Sequence, residues 1–131
     1  MALLEIGLNV QPAVIAHLTR KLAEFNYREQ PISELLGRWD ISELNGKEYP
    51  NYLFRCDREG SDLARLVAIF LMGRSTDRET LINDLGEELV EGLKACGLLL
   101  EYKGRWASHV ASFPCLGRHI LTDHWIGTGK Q

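Results

Sequence analysis

Four glycines, Gly73, Gly86, Gly97 and Gly104, cut residues 59–111 into segments that leave room only for short elements. Ser61 and Asp62 are good helix starters, and Leu63, Leu66, Val67, Phe70 and Leu71 recur behind them at helical spacing until Gly73. Thr76, with Glu79 three places later, has the pattern of a capping box. It opens a second helix that buries Leu81, Ile82 and Leu85 and stops at Gly86. Glu87 and Glu88 then fall in the first turn of a third helix, where carboxylates favour the helix dipole. Leu89, Val90 and Leu93 form its apolar face, and Gly97 closes it. Residues 98–102 are a strand run and Lys103-Gly104 is a turn. Residues 105–111 are expected to return as a strand, with Trp106 and Val110 on one face.

Three helices followed by a hairpin is the plan of a winged-helix domain, whose third helix usually enters the major groove of DNA. Here that helix is acidic: Glu87, Glu88 and Glu91 stand against a lone Lys94. From residue 76 to residue 101, Asp77, Glu79, Asp84, Glu87, Glu88, Glu91 and Glu101 are opposed only by Arg78 and Lys94. Affinity for nucleic acid rests mainly on cations that neutralise phosphates. Carboxylates on the reading helix would repel a duplex, so DNA is not the expected partner. Beyond residue 102 the sign reverses, with Lys103, Arg105, Arg118 and Lys130 facing only Asp123. The segment carrying Lys103, Arg105, His109, Arg118 and His119 is therefore the candidate surface for RNA or an acidic partner. The bland alternative is two solvated faces of opposite sign.

A chain of 131 residues with 45% hydrophobic and 25% charged residues is long enough to bury a core and has an ordinary globular composition. Its net charge of −3 gives no overall pull toward nucleic acid or acidic membranes. The longest apolar run, residues 66–72, is too short to span a bilayer, which needs roughly 20 residues. Cys56, Cys96 and Cys115 are odd in number and form no C-x-x-C pair. With no signal peptide in view, they point to the cytoplasm.

Ahead of the glycine-punctuated region, residues 11–28 form an amphipathic helix. Pro12 lies in its first turn, and Val14, Leu18, Leu22 and Phe25 make one apolar stripe. Such a stripe packs on the later helices or serves as a dimerisation face. A short helical turn over residues 32–36 ends at Gly37. Residues 38–60 are poorly patterned and read as a long connection pinned by Trp39, Tyr49, Tyr52 and Phe54, with a turn at Asn45-Gly46 and a short strand within residues 49–54. Those aromatics could stack on bases, but only Arg38 and Arg55 flank them, which favours packing. Residues 117–123 are a further strand candidate.

Catalytic patterns fail one by one. The tail Gly127-Thr128-Gly129-Lys130 lacks the P-loop glycine five residues earlier, where His124 stands, and Gln131 replaces the required Ser or Thr. No strand runs into a glycine-rich turn of the dinucleotide-binding kind. His109, His119 and His124 with Cys115 match no common zinc spacing and read as ordinary histidines. Cys56 and Cys96 read as small apolar residues. No serine or cysteine nucleophile and no carboxylate pair has a supporting motif.

The run Leu53-Phe54-Arg55-Cys56-Asp57-Arg58-Glu59-Gly60-Ser61-Asp62-Leu63-Ala64-Arg65-Leu66-Val67, the stretch 81–99 and the closing Ile120-Leu121-Thr122-Asp123 resemble the N-terminal region of bacterial class I S-adenosylmethionine-dependent methyltransferases. The group resembled includes release-factor glutamine and rRNA guanine methyltransferases. The resemblance covers roughly residues 50–125 and carries no catalytic motif. It implies a small winged-helix-like domain ahead of the enzyme. The S-adenosylmethionine site and the catalytic loop would then lie beyond Gln131, and RNA or a translation protein would be the substrate. The expectation is an α+β, mostly helical chain: an N-terminal helical arm and connection over residues 1–48, a winged-helix-like domain over 49–125, and a tail or linker over 126–131. It would serve as a non-catalytic accessory domain without a cofactor or metal of its own. The alternatives are a free-standing winged-helix DNA-binding regulator and a protein–protein dimerisation module.

Overall fold

The computed structural model describes residues 12–38, 46–115 and 118–123, with Val110 and residues 113–115 and 118–123 described through their backbone. In chain order the helices are α1 (Pro12–Glu24), α2 (Glu29–Leu36), α3 (Tyr49–Glu59, entered by a 3-10 turn Gly46–Glu48), α4 (Asp62–Phe70), α5 (Arg78–Leu85) and α6 (Glu87–Ala95). Strands β1 (Leu99–Tyr102), β2 (Arg105–Ser108), β3 (Val110–Cys115) and β4 (Arg118–Asp123) follow. The chain is α+β and mostly helical. No described helix is long and apolar enough to cross a membrane.

Packing radiates from α4. Ala64, Leu66, Val67, Ala68, Ile69 and Phe70 are all buried, as are Leu71 and Met72 after them, so the helix has almost no solvent face. A helix that is apolar all round must be surrounded. α3 and α2 cover it on one side and β2 and β3 on another. Ser61 opens it as expected, its hydroxyl accepting the Ala64 N–H at 3.1 Å. α5 is tied to α4 by Asp84, whose carboxylate is 3% exposed and receives Arg65 Nε at 3.1 Å and Nη2 at 2.9 Å. Arg65 also holds Asp62 one turn back.

The cap of α5 differs from the capping-box expectation. Asp77, not Thr76, is the N-cap, and its Oδ1 accepts the Thr80 N–H at 2.7 Å. The reason is that Thr76 is already engaged. It forms an antiparallel bridge with Trp106, with N–H to carbonyl distances of 2.7 Å in both directions. The segment between α4 and α5 thus lies beside β2 as a one-residue third strand. Gly86, at φ 91° and ψ 148°, ends α5 and begins α6 in a single residue, a conformation open essentially to glycine alone.

β1 and β2 pair from Leu99↔Ser108 to Tyr102↔Arg105 across Lys103-Gly104, where both residues have positive φ, 53° and 80°, as a type I′ turn requires. Residues 105–111 do not form one strand. β2 ends at Ser108, and β3 pairs instead with β4 from Val110↔Asp123 to Cys115↔Arg118. At the break, the His109 N–H reaches back to the Leu98 carbonyl at 2.6 Å.

The N-terminal stripe joins the same core: Leu18 and Leu22 are buried, with Val14 and Phe25 packed against the cluster. α1 lies on α6, where Gly92 leaves room for Val14. α1 ends four residues before the expected boundary, and Asn26 is left-handed at φ 63°. Tyr27 is fully buried and donates its hydroxyl to the Ser112 carbonyl at 2.6 Å. The expected strand within residues 49–54 is helix. Tyr52 and Cys56, one turn apart, are buried in α3, and Pro50 sits in its first turn, where its missing N–H costs nothing. Phe54 points outward, 59% exposed. Trp39 and Asn45 lie outside the described residues.

Two glycine substitutions should act in opposite directions. Gly86→Ala meets no atom within 4 Å, so its cost is backbone strain alone, about 1–3 kcal/mol. Gly92→Ala places its Cβ 3.5 Å from Val14 Cγ2, an ordinary contact inside a helix, and should stabilise by about 0.5–1 kcal/mol. Urea unfolding of both variants checks the pair. Arg65→Met strands the buried Asp84 carboxylate and should cost about 3 kcal/mol, with much of it recovered in the double variant carrying Asp84→Asn. A double-mutant cycle showing no coupling would mean that this pair does not join α4 to α5.

Candidate interaction surface

Two surfaces follow from this arrangement, the solvent face of α6 and the β1–β2 hairpin. On α6 the apolar residues Leu89, Val90 and Leu93 face the core. Glu87, Glu88 and Glu91 are exposed. Two of the three are not free. Arg78, in the first turn of α5, places Nη2 2.6 Å from Glu91 Oε2 and 3.3 Å from Glu87 Oε2. The Arg78 guanidinium holds the Glu91 carboxyl below its ordinary range, and Arg78 is itself raised by hydrogen bonds to Glu91 and Glu87. The one α6 cation, Lys94, turns toward Glu101 at 3.4 Å and sits over the Trp106 ring at 5.1 Å from its centroid. The face is a charge-paired acidic surface with its lysine drawn to the hairpin.

The hairpin has two unlike sides. Leu99, Trp106 and Ser108 are buried against the helices, while Leu100 and Tyr102 stand outward, 50% and 74% exposed. Lys103 Nζ lies over the Tyr102 ring at 5.3 Å. The outer side therefore offers an aromatic ring, a leucine and a cation to whatever approaches.

Of the five residues named from the sequence, the three whose side chains are described occupy separate places. Lys103 is at the hairpin tip. Arg105, one residue beyond the turn, folds back so that Nη2 donates to the Ser75 carbonyl at 3.1 Å. His109 is half-buried at the base of the hairpin, with Nδ1 3.4 Å from the Gly97 carbonyl. Arg118 and His119 are on β4, opposite Cys115 and Pro114, where only the backbone is described. Sequence reasoning missed the carboxylate partners of the arginines: Asp57 with Arg74, Asp84 with Arg65, and Glu91 with Arg78. These join residues 13 to 19 positions apart, and no local pattern marks them. Among the described residues no group of histidine, cysteine and carboxylate side chains could hold a metal ion.

In comparisons with known proteins, no family model, no curated relative and no solved structure matches the chain.

The Arg78–Glu91 pair predicts a pH signature. A carboxyl held low in the folded state stabilises above its unfolded pKa, about 4.3 for glutamate, and that contribution is lost as the pH falls through the folded value. Arg78→Gln should therefore lower the unfolding midpoint by a constant amount near neutral pH, with the difference shrinking to nothing in the acid range. Denaturation of both proteins across that range reads it. A difference persisting undiminished into strong acid would assign the effect of Arg78 to something other than its carboxylate partners.

Proposed function

We propose that this chain is a winged-helix-like accessory module of a class I S-adenosylmethionine-dependent methyltransferase, serving substrate recognition or scaffolding and contributing no catalytic group. The observation that carries the architectural half is the Thr76–Trp106 bridge. With it, the order becomes helix, short strand, helix, helix and hairpin, with that strand beside the hairpin. That order, with the bridge adding a third member beside the hairpin, supports a winged-helix-like reading. The enzyme half rests on the resemblance over residues 50–125.

The acidic α6 favours an accessory role over a DNA-reading one. Its Glu87 and Glu91 engage Arg78, and its lysine is committed to Glu101 and Trp106. A groove-reading helix needs the opposite charge. Burial of Leu18 and Leu22, with Val14 and Phe25 partly buried against the same core, favours this reading over dimerisation through that stripe. Among the described residues, helices α1–α6 precede strands β1–β4, an order that supports placing an adenosyl cofactor elsewhere. In this reading the cofactor belongs to a following domain in the same polypeptide. RNA or a translation protein is the expected substrate, met on the hairpin side that carries Tyr102 and Lys103.

Two measurements test this. Reading the coding region beyond Gln131 should reveal, within about 60 codons, a strand entering a glycine-rich turn; a stop codon directly after Gln131 would remove the enzyme from the proposal. Separately, fluorescence anisotropy with duplex DNA at physiological salt should give no binding tighter than about 100 μM, the weak end of non-specific affinity. Replacing Glu87, Glu88 and Glu91 by lysine should create binding that weakens steeply with salt. Micromolar binding by the unaltered chain would favour the DNA-binding regulator instead.

A further inference from the structure

Away from α6 and the outer hairpin face, a pocket of about 290 Å³ opens between α3, α4, the bridging segment before α5, and β2. Three guanidinium groups line it, those of Arg65, Arg74 and Arg105, and Ala68 and Ile69 contribute an apolar wall. The three arginines are in different electrostatic states. Arg65 is bound on both sides by Asp84 and Asp62. Arg74 is held by Asp57, with Nη1 2.5 Å from Oδ1 and Nη2 3.2 Å from Oδ2. That pair is exposed, Asp57 by 58%, and exposed pairs hold weakly. Arg105 donates to a neutral carbonyl, that of Ser75, and among the described residues no carboxylate forms an ion pair with it, although Asp77 lies within its field. Burial pushes the Cys56 thiol beside the pocket up to about 11, so it adds no negative charge at neutral pH.

The pocket thus has one guanidinium with no ion-pair partner among the described residues, a second on an exposed carboxylate, and an apolar wall. Its size is at the lower end of small-ligand sites, which run from about 300 Å³ upward. A phosphate monoester carries more negative charge than a carboxylate and several acceptor oxygens, which suits displacement of Asp57 and simultaneous contact with two arginines. We propose that this pocket binds a small phosphate monoester of about mononucleotide size, its phosphate taken by Arg105 and Arg74 and its organic body laid against Ile69 and Ala68. Asp57 acts as the competing internal anion. This site is independent of the accessory-module reading and would stand or fall without it.

Titration calorimetry of the chain with adenosine 5′-monophosphate, adenosine and inorganic phosphate tests it. Adenosine monophosphate should bind at one site with a Kd below about 1 mM, inorganic phosphate more weakly, and adenosine not measurably. Arg105→Gln and Arg74→Gln should each weaken binding about tenfold or more, the loss of a charge-assisted contact. Asp57→Asn should tighten it, which a merely structural role for the Asp57–Arg74 pair would not do. Lys103→Gln, at the hairpin tip outside the pocket, should change it little. All four side chains are partly or fully exposed, and an unfolding midpoint for each variant establishes that it is folded. Three results would overturn the proposal: no saturable binding of adenosine monophosphate, adenosine binding equally well, or a loss in Lys103→Gln that Arg105→Gln does not share.

Discussion

The burial of α4 on nearly every side governs the rest of the molecule. A nine-residue helix whose sequence is Asp-Leu-Ala-Arg-Leu-Val-Ala-Ile-Phe cannot sit at the edge of a domain, because it has no polar stripe to turn outward. Its only charged residues are Asp62, in the first turn, and Arg65, which is directed at Asp84 on the neighbouring helix. The surrounding elements follow from this demand. α2 and α3 cover one side, strands β2 and β3 another, and α1 closes the core over α6. The short elements on either side of α4 would be marginal as isolated helices or as a lone hairpin, and it is the shared apolar centre that fixes them.

Local chemistry was legible where a single residue decides the outcome. Ser61 as a cap, Gly86 as a helix break, the first-turn glutamates of α6 and the Lys103-Gly104 turn all act through their own backbone and one neighbour. Where a distant partner decides, local sequence points elsewhere. Thr76 looked like a cap, yet its backbone is claimed by Trp106, thirty positions away, and the cap moved one residue on to Asp77. The aromatics around Tyr49 suggested a strand, whereas burial of Tyr52 and Cys56 on the face toward α4 selects a helix. Nothing local in the sequence announces that the partner changes from β1 to β4 after Ser108, so residues 105–111 read as one strand.

Charge was readable as composition but not as contact. The acidic character of α6 is plain in the sequence, but the clasp that neutralises part of it comes from Arg78 on another helix. In the sequence Arg105 reads as a hairpin cation available to a partner, while in the fold its guanidinium bends toward Ser75 and the arginine-lined pocket. That pocket draws Arg65, Arg74 and Arg105 from three separate segments, so no spacing within any one of them reveals it.

The hydrogen bond from Tyr27 to the Ser112 carbonyl spans 85 residues, and it bears on how the chain comes off the ribosome. Synthesis runs at about 5–20 residues per second, so Tyr27 waits several seconds at least before its acceptor exists. For most of that interval α1 is complete while α6, against which it packs, is still unmade. The N-terminal helix is therefore born with a greasy face and no partner, and its final docking is a late event that closes a long loop. Lys21 and Glu24, paired at 3.5 Å across one turn of α1, give that helix a charged flank in water while its apolar stripe waits for a partner.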